Sequence, residues 1–263
     1  MSKITLTIDE QTVQVEAGTT VLEAAREAGI EIPTLCYHPE LSLHGSCRIC
    51  VVENVDNGRL LASCVAPVAE GMKISTRSAR VRKARKMNLE LLLANHPDDC
   101  LGCDRNGNCE LQTLTYEMGI NRNDVARFAG EKRDIPVDDA GPALKRDPEK
   151  CILCGRCVRV CEEVQGLNAL EFTGRGFNSI VSTAFDLPQN EINCTNCGQC
   201  VVVCPVGALT EISEIDHVWD ALADPEKYVV VQTAPAIQVS IGEEFGLEPG
   251  SVVTGKLVAA LRR

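Results

Sequence analysis

Fifteen cysteines and one of the four histidines fall by spacing into four sets of four, with none left over. The sets are Cys36, Cys47, Cys50 and Cys64; His96, Cys100, Cys103 and Cys109; and two runs, Cys151-Ile-Leu-Cys154-Gly-Arg-Cys157-Val-Arg-Val-Cys161 and Cys194-Thr-Asn-Cys197-Gly-Gln-Cys200-Val-Val-Val-Cys204. Both runs read Cys-x2-Cys-x2-Cys-x3-Cys, the pattern whose thiolates hold [4Fe–4S] cubanes, and in tandem runs the fourth cysteine of each ligates the other cluster. One cube is therefore expected on Cys151, Cys154, Cys157 and Cys204, the other on Cys161, Cys194, Cys197 and Cys200. Structural zinc uses separated Cys-x2-Cys pairs instead of this fourfold run. Gly155 and Gly198 leave room for backbone N–H groups beside the sulfurs, and Val158, Val160, Val201, Val202 and Val203 supply an apolar jacket. Such a jacket lowers a cluster's potential, whereas N–H bonds to sulfur raise it.

The other two sets are less specific. Cys-x10-Cys-x2-Cys-x13-Cys shares the Cys-x2-Cys core of a plant-type [2Fe–2S] loop but has a longer first gap, and structural zinc is its alternative. His96-x3-Cys100-x2-Cys103-x5-Cys109 suits a Cys3His zinc site as well as an iron–sulfur cluster. His96 is counted as a ligand because three cysteines otherwise lack a fourth partner. His38 and His44 read as ordinary surface histidines, and His217 as a surface or core one.

The formal charge of −11 and the 3% aromatic content argue against nucleic acid or an anionic membrane as partner. The N-terminus is alternating and polar, without a signal peptide, and no apolar stretch approaches the ~18 residues of a membrane span. A cytoplasmic protein is expected, in which dense cysteine means metal rather than disulfides.

The elements that must position these ligands can be read in turn. Residues 3–16 alternate about Asp9-Glu10 as a hairpin, and Thr20-Val-Leu-Glu23 is a capping box for a helix closing at Gly29. Asn57-Gly58 predicts a two-residue hairpin turn, completing a β-grasp domain that ends near Thr76. Apolar spacing at Val81, Met87, Leu89, Leu92 and Leu93 predicts a helix over 78–95, stopped by Pro97 just after His96. Its basic first half (Arg77, Arg80, Arg82, Lys83, Arg85, Lys86) reads as a solvated face or as a docking face for an acidic subunit. A second helix is expected from Cys109 to Met118. Residues 120–148 look like a linker. The cubane runs repeat at 43 residues with seven of eleven positions identical, and the 32 residues between Cys161 and Cys194 should fold as an insertion. From Asp216 a helix, a strand over Tyr228–Gln232 and a helix over Gly255–Arg262 are expected.

In order and spacing, the four motifs over residues 36–204 resemble two related groups: the small diaphorase iron–sulfur subunit of NAD-reducing hydrogenases, and the N-terminal two-fifths or so of [FeFe]-hydrogenases. The large iron–sulfur subunit of respiratory NADH dehydrogenase is similar at the first two sites but departs at the tandem pair. Val229-Val-Val-Gln-Thr-Ala-Pro and Val253-Thr-Gly-Lys-Leu-Val-Ala-Ala-Leu-Arg resemble the opening of the [FeFe]-hydrogenase catalytic domain, most of all in NAD(P)-linked, electron-bifurcating members. The resemblance implies one [2Fe–2S] cluster on Cys36, Cys47, Cys50 and Cys64, and a histidine-ligated [4Fe–4S] cluster on His96, Cys100, Cys103 and Cys109. With the tandem cubes that makes three [4Fe–4S] clusters. The expected fold class is α+β: a β-grasp [2Fe–2S] ferredoxin domain (1–77), a small helical His/Cys3 cluster domain (78–119), a linker (120–143), a bacterial-type 2[4Fe–4S] ferredoxin domain (144–215) and a short α/β extension (216–263).

No residue is expected to be catalytic. Gly174-Arg-Gly176 is too short for a dinucleotide fingerprint, so hydride from NAD(P)H must first meet a flavin elsewhere. The related catalytic domain needs further cysteines, and none follows Cys204. The expectation is an electron-transfer subunit of a cytosolic multi-subunit hydrogenase. Its partners would be a flavin/NAD(P)-binding subunit, a small [2Fe–2S] subunit and hydrogenase catalytic subunits, with a [NiFe] pair and soluble ferredoxin as candidates. The rivals are the front part of an [FeFe]-hydrogenase catalytic subunit and the relay subunit of an NAD-linked formate dehydrogenase.

Overall fold

The structure, a computed structural model, describes residues 3–128, 130 and 134–263; part of the expected 120–143 linker and the first two residues lie outside the described residues. β1 (Lys3–Ile8) and β2 (Gln11–Glu16) pair antiparallel, with Asp9 and Glu10 at positive φ in the turn. Thr20 and Glu23 exchange the reciprocal bonds of a capping box and start α1 (Val21–Glu27). α1 buries Val21 and Leu22 against Leu6 and Ile8 of β1, each side chain stabilising the fold by about 2 kcal/mol of apolar transfer.

β3 (Val51–Asn54) and β4 (Arg59–Ala62) pair from Val51↔Ala62 to Asn54↔Arg59, so the turn holds four residues where Asn57-Gly58 suggested two. The reason lies in Val55: its N–H donates to the Lys73 carbonyl, drawing it away from β4, while the Gly58 N–H closes the turn on Asn54. That neighbour is β5 (Lys73–Ser75), a strand the sequence reading missed. It lies in the middle of the sheet, ordered β2-β1-β5-β3-β4, parallel to β1 and antiparallel to β3.

α2 (Ala79–Ala94) starts at Ser78, whose Oγ accepts from the Val81 N–H, and it delivers His96 just past its end. Several of its cations are used internally: Arg80 pairs with Glu53 at 2.8 Å, Arg85 donates to the Val51 carbonyl, and Lys86 pairs with Asp124 at 3.1 Å. α3 (Glu110–Glu117) has Cys109 at its N-cap. α4 (Arg122–Ala126) occupies ground expected to be linker, nucleated by a capping box between Asn121 and Asp124.

β6 (Leu144–Arg146) leads into α5 (Arg156–Arg159), which continues as a π turn over Val160–Val164. The insertion forms a hairpin of β7 (Glu171–Thr173) and β8 (Ile180–Ser182). At Gly174, with φ +71, a Cβ would lie 2.3 Å from the Asn178 carbonyl oxygen, so the hairpin turn accepts only glycine there. α6 (Gln199–Val203) repeats α5, and β9 (Leu209–Glu211) returns to pair with β6. Buried Arg146 pairs with Asp138 at 3.1 Å and donates to Val181 and Ser182, tying the insertion to this strand pair.

All of this forms one compact unit running to Ile212, and Ser213–Arg263 forms another. The second contains α7 (Ile215–Ala223), α8 (Ile237–Ser240) and α9 (Thr254–Leu261). The strand expected over Tyr228–Gln232 is irregular and exposed. Its β-branched residues favour a strand, but no partner strand lies among the described residues of this unit, and an unpaired strand leaves its N–H and C=O groups unsatisfied. The extension is thus helical and irregular rather than α/β among the described residues. No described helix is long and apolar enough to cross a membrane.

Candidate iron–sulfur centres

The pairing of β3 with β4 brings Cys50 and Cys64, at their ends, to 3.3 Å between sulfurs. Cys36 and Cys47 reach them from the loop between α1 and β3, and all four thiols are buried. Hydrogen bonds from Cys47 and then Cys64 hold Cys36 far below the usual thiol range, and one from Cys64 brings Cys50 down to about 6. Cys47 and Cys64 are pushed up, first by donating to Cys36 and then by further contacts and burial. Four crowded sulfurs sharing too few protons make a soft donor set for iron or zinc.

Cys100, Cys103 and Cys109 lie near one another in the segment that leads into α3. Burial raises Cys100 and Cys109, and the neighbouring cysteines raise both further. The Lys150 ammonium lies close enough to feel both the His96 imidazole and Cys103. Burial, and then the Lys150 charge, push His96 down to about 4, so at neutral pH its ring is uncharged. Its Nδ1 is wholly buried and lacks a hydrogen-bond partner. A buried ring nitrogen with no hydrogen-bond partner is a donor free to bind a metal.

The two runs form mirrored loops. Leu153 (φ 55) and Asn196 (φ 54) are left-handed in corresponding places, and their N–H groups donate to Cys151 Sγ and Cys194 Sγ, each at 3.4 Å. Gly155 and Gly198 follow, again left-handed, as the N-caps of α5 and α6. One cavity is walled by Cys151, Cys154, Cys157 and Cys204, with Ile152 and Val206. A second is walled by Cys161, Cys194, Cys197 and Cys200. Burial lifts Cys154 and Cys200 to about 12 and Cys157 well above its usual range. A thiolate there needs a bound cation to offset its desolvation, which cysteine-walled cavities of this kind fit. No disulfide joins any of the fifteen cysteines. Among the described residues no three His, Cys, Asp or Glu side chains close on one point as around a single metal ion.

Three charged residues outside the ligand sets join the sites, and sequence reasoning overlooked them. Arg156 pairs with Glu110, the neighbour of Cys109, at 2.5 Å and donates to the Val203 carbonyl. Arg105 donates to the Cys204 carbonyl at 3.3 Å. Arg159 donates to the Cys36 carbonyl at 2.7 Å. A signal existed for two of them: Arg156 and Arg159 stand where the second run has Gln199 and Val202, among the few positions at which the repeat breaks. His44, read as an ordinary surface residue, stacks on Phe172 of the insertion with ring centroids 5.7 Å apart.

Comparison with known proteins agrees with this arrangement. Family profiles match residues 1–79 as a 2Fe-2S iron-sulfur cluster binding domain, and residues 85–124 as the NADH-ubiquinone oxidoreductase-G iron-sulfur binding region. Residues 141–210 match the ferredoxin-like domain of NADH-quinone oxidoreductase subunit 3, and residues 227–263 the C-terminal domain of the iron only hydrogenase large subunit. The likeness to NADH dehydrogenase therefore continues through the tandem pair, where the sequence reading had it end. The chain is 46% identical over its whole length to NADP-reducing hydrogenase subunit HndD of Solidesulfovibrio fructosivorans, spanning 45% of that protein. It is 43% identical over 203 residues to the NADH-ubiquinone oxidoreductase 75 kDa subunit of Reclinomonas americana, spanning 28% of it. A crystal structure of NAD+-reducing [NiFe]-hydrogenase in the H2-reduced state contains a chain superposing with a TM-score of 0.73 at 38% identity, over 80% of this chain and 88% of that one. With iron–sulfur binding regions matched across its first unit and a relative of this closeness covered almost end to end, the chain belongs to the iron–sulfur protein family shared by NAD(P)-linked hydrogenases and NADH dehydrogenases.

Proposed function

We propose that this chain relays single electrons in a cytoplasmic, multi-subunit hydrogenase, between a flavin/NAD(P) subunit and a hydrogen-activating site on partner chains. The observation that carries the reading is the shared core. Cys36 and Cys47 of the first set lie in the same buried cluster as Cys154, Cys157 and Cys204, with Cys109 packed against it. Ligand sets sharing one dry core are arranged for conduction between them, not for separate structural roles.

Cys36, Cys47, Cys50 and Cys64 would hold a [2Fe–2S] cluster; His96, Cys100, Cys103 and Cys109 a [4Fe–4S] cluster; and the two cavities a cube each. Such clusters supply one-electron transfer at potentials set by their surroundings. The chain supplies those surroundings. N–H groups of Leu153, Asn196 and Ala169 donate to sulfur and favour the more negative, reduced state. The neutral His96 imidazole removes one thiolate charge from its centre. Gly207 makes room for Cys103, since a Cβ there would lie 2.7 Å from Sγ. Gly207→Ala is expected to displace that ligand and cost the chain about four of its roughly fourteen irons, read by iron analysis of the anaerobically purified protein.

The match of residues 227–263 supports a second reading, in which this sequence is the front of an iron-only hydrogenase catalytic subunit. Anaerobic purification of the native complex separates the two. Nickel and a flavin chain alongside a chain of this mass support the relay. Iron alone, on a heavier chain, overturns it in favour of the second reading.

A further inference from the structure

We infer that Arg159 is a positioning residue that locks the loop of Cys36 onto the first cubane run and raises the potential of the centre Cys36 helps to hold; this rests on the cluster assignment proposed above. Arg159 is 7% exposed. Its guanidinium donates to three backbone carbonyls: Gly155 at 3.2 Å within its own run, Cys36 at 2.7 Å, and Ser42. Two of these acceptors belong to the first ligand loop, more than a hundred residues away in the chain.

The contact is a built joint. Glu163, one turn on from Arg159, accepts from both the N–H and the hydroxyl of Ser42, the former at 2.8 Å. Leu41 packs on Val160 and Val203. The stack of His44 on Phe172 closes the other side. The fold of a cubane run does not itself require an arginine here. The equivalent residue of the second run, Val202, is 75% exposed and faces no such loop. The substitution that breaks the repeat is thus the one that makes the joint.

The charge has a consequence for redox poise. The hydrogen bonds of the buried Arg159 cation end on carbonyls, which do not neutralise it. The nearby Glu163 carboxylate is exposed, so water screens its opposing charge. Placed on the backbone of Cys36, the cation stabilises the reduced, more negative form of the adjoining centre. It also holds that centre at a fixed separation from the cube of Cys154 and Cys157.

The test is an EPR-monitored redox titration of the complete cluster-loaded chain, comparing wild type, Arg159→Gln and Arg159→Lys. In Arg159→Gln the reduction equilibrium of the [2Fe–2S] centre should shift about tenfold toward the oxidised form, equal to about 59 mV for a one-electron couple. The magnetic broadening between that centre and the neighbouring cube should weaken too. Arg159→Lys, which keeps the charge, should recover the potential. Wild-type potential and broadening in Arg159→Gln, with its iron content intact, overturn the inference. An Arg159→Lys variant shifted as far as Arg159→Gln overturns its electrostatic half. Absence of any [2Fe–2S] signal from wild type would sink the cluster assignment itself.

Discussion

Replacing Cys154 and Cys197 together by alanine is expected to abolish hydrogen-dependent NAD(P) reduction by the reconstituted complex while sparing the [2Fe–2S] signal. Each substitution removes one wall thiol from one of the two cysteine-lined cavities. Loss even of partners outside a metal's ligand shell commonly costs 10–100-fold in affinity or activity, so loss of a ligand from both cubes should cost at least about a hundredfold. The β-grasp domain should survive, because Cys50 and Cys64 sit in a core with Val21, Leu22 and Ile74 that holds neither substituted residue. Cys36 and Cys47, which share a buried cluster with Cys154, lose only its sulfur as a neighbour. The measurement pairs turnover with hydrogen against turnover of the flavin subunit with NAD(P)H and an artificial acceptor. The second activity should persist. Hydrogen-dependent reduction that survives the double substitution would mean that electrons bypass the tandem runs, and the proposed wire would be wrong.

What the sequence disclosed followed from range. The capping box at Thr20, the hairpin about Asp9-Glu10 and the helix leading to His96 are set by residues within a few positions of one another. Cysteine spacing is legible for the same reason, because thiolates of one cluster must be delivered by short, stereotyped loops. β5 was invisible because Lys73-Ile74-Ser75 is too short to show alternation; its identity comes from pairing with β1, more than sixty residues earlier. The opposite error occurred at 228–232, where a β-branched run looked like a strand but found no partner. α4 was overlooked although Asn121 and Asp124 spell a capping box, since the polar composition around them suggested a linker. The joint at Arg159 was hidden for a different reason. Side-chain burial of an arginine depends on a loop from another domain, and nothing local announces it.

His96→Cys should lower the potential of its [4Fe–4S] centre rather than destroy it. A neutral imidazole in place of a thiolate makes a cluster less negative, so the reduced state costs less to form. In Rieske centres two such replacements lift potentials from about −400 mV to −150 mV or above, so one replacement is worth on the order of 100 mV. The site suits this reasoning because the His96 ring is held uncharged, its buried Nδ1 lacks a hydrogen-bond partner, and the Lys150 ammonium lies beside it. A cysteine there would be drawn toward its thiolate by Lys150, favouring ligation with four thiolates. His96→Ala, by contrast, removes the donor altogether and should lose the centre. The readout is the midpoint of that cluster's EPR signal in the cluster-loaded chain, with the [2Fe–2S] midpoint as internal reference. A downward shift in His96→Cys together with loss of the signal in His96→Ala identifies the histidine as a ligand. An unchanged signal in His96→Ala would remove it from the ligand set, leaving the buried ring as packing beside Lys150 and the three cysteines in need of another partner.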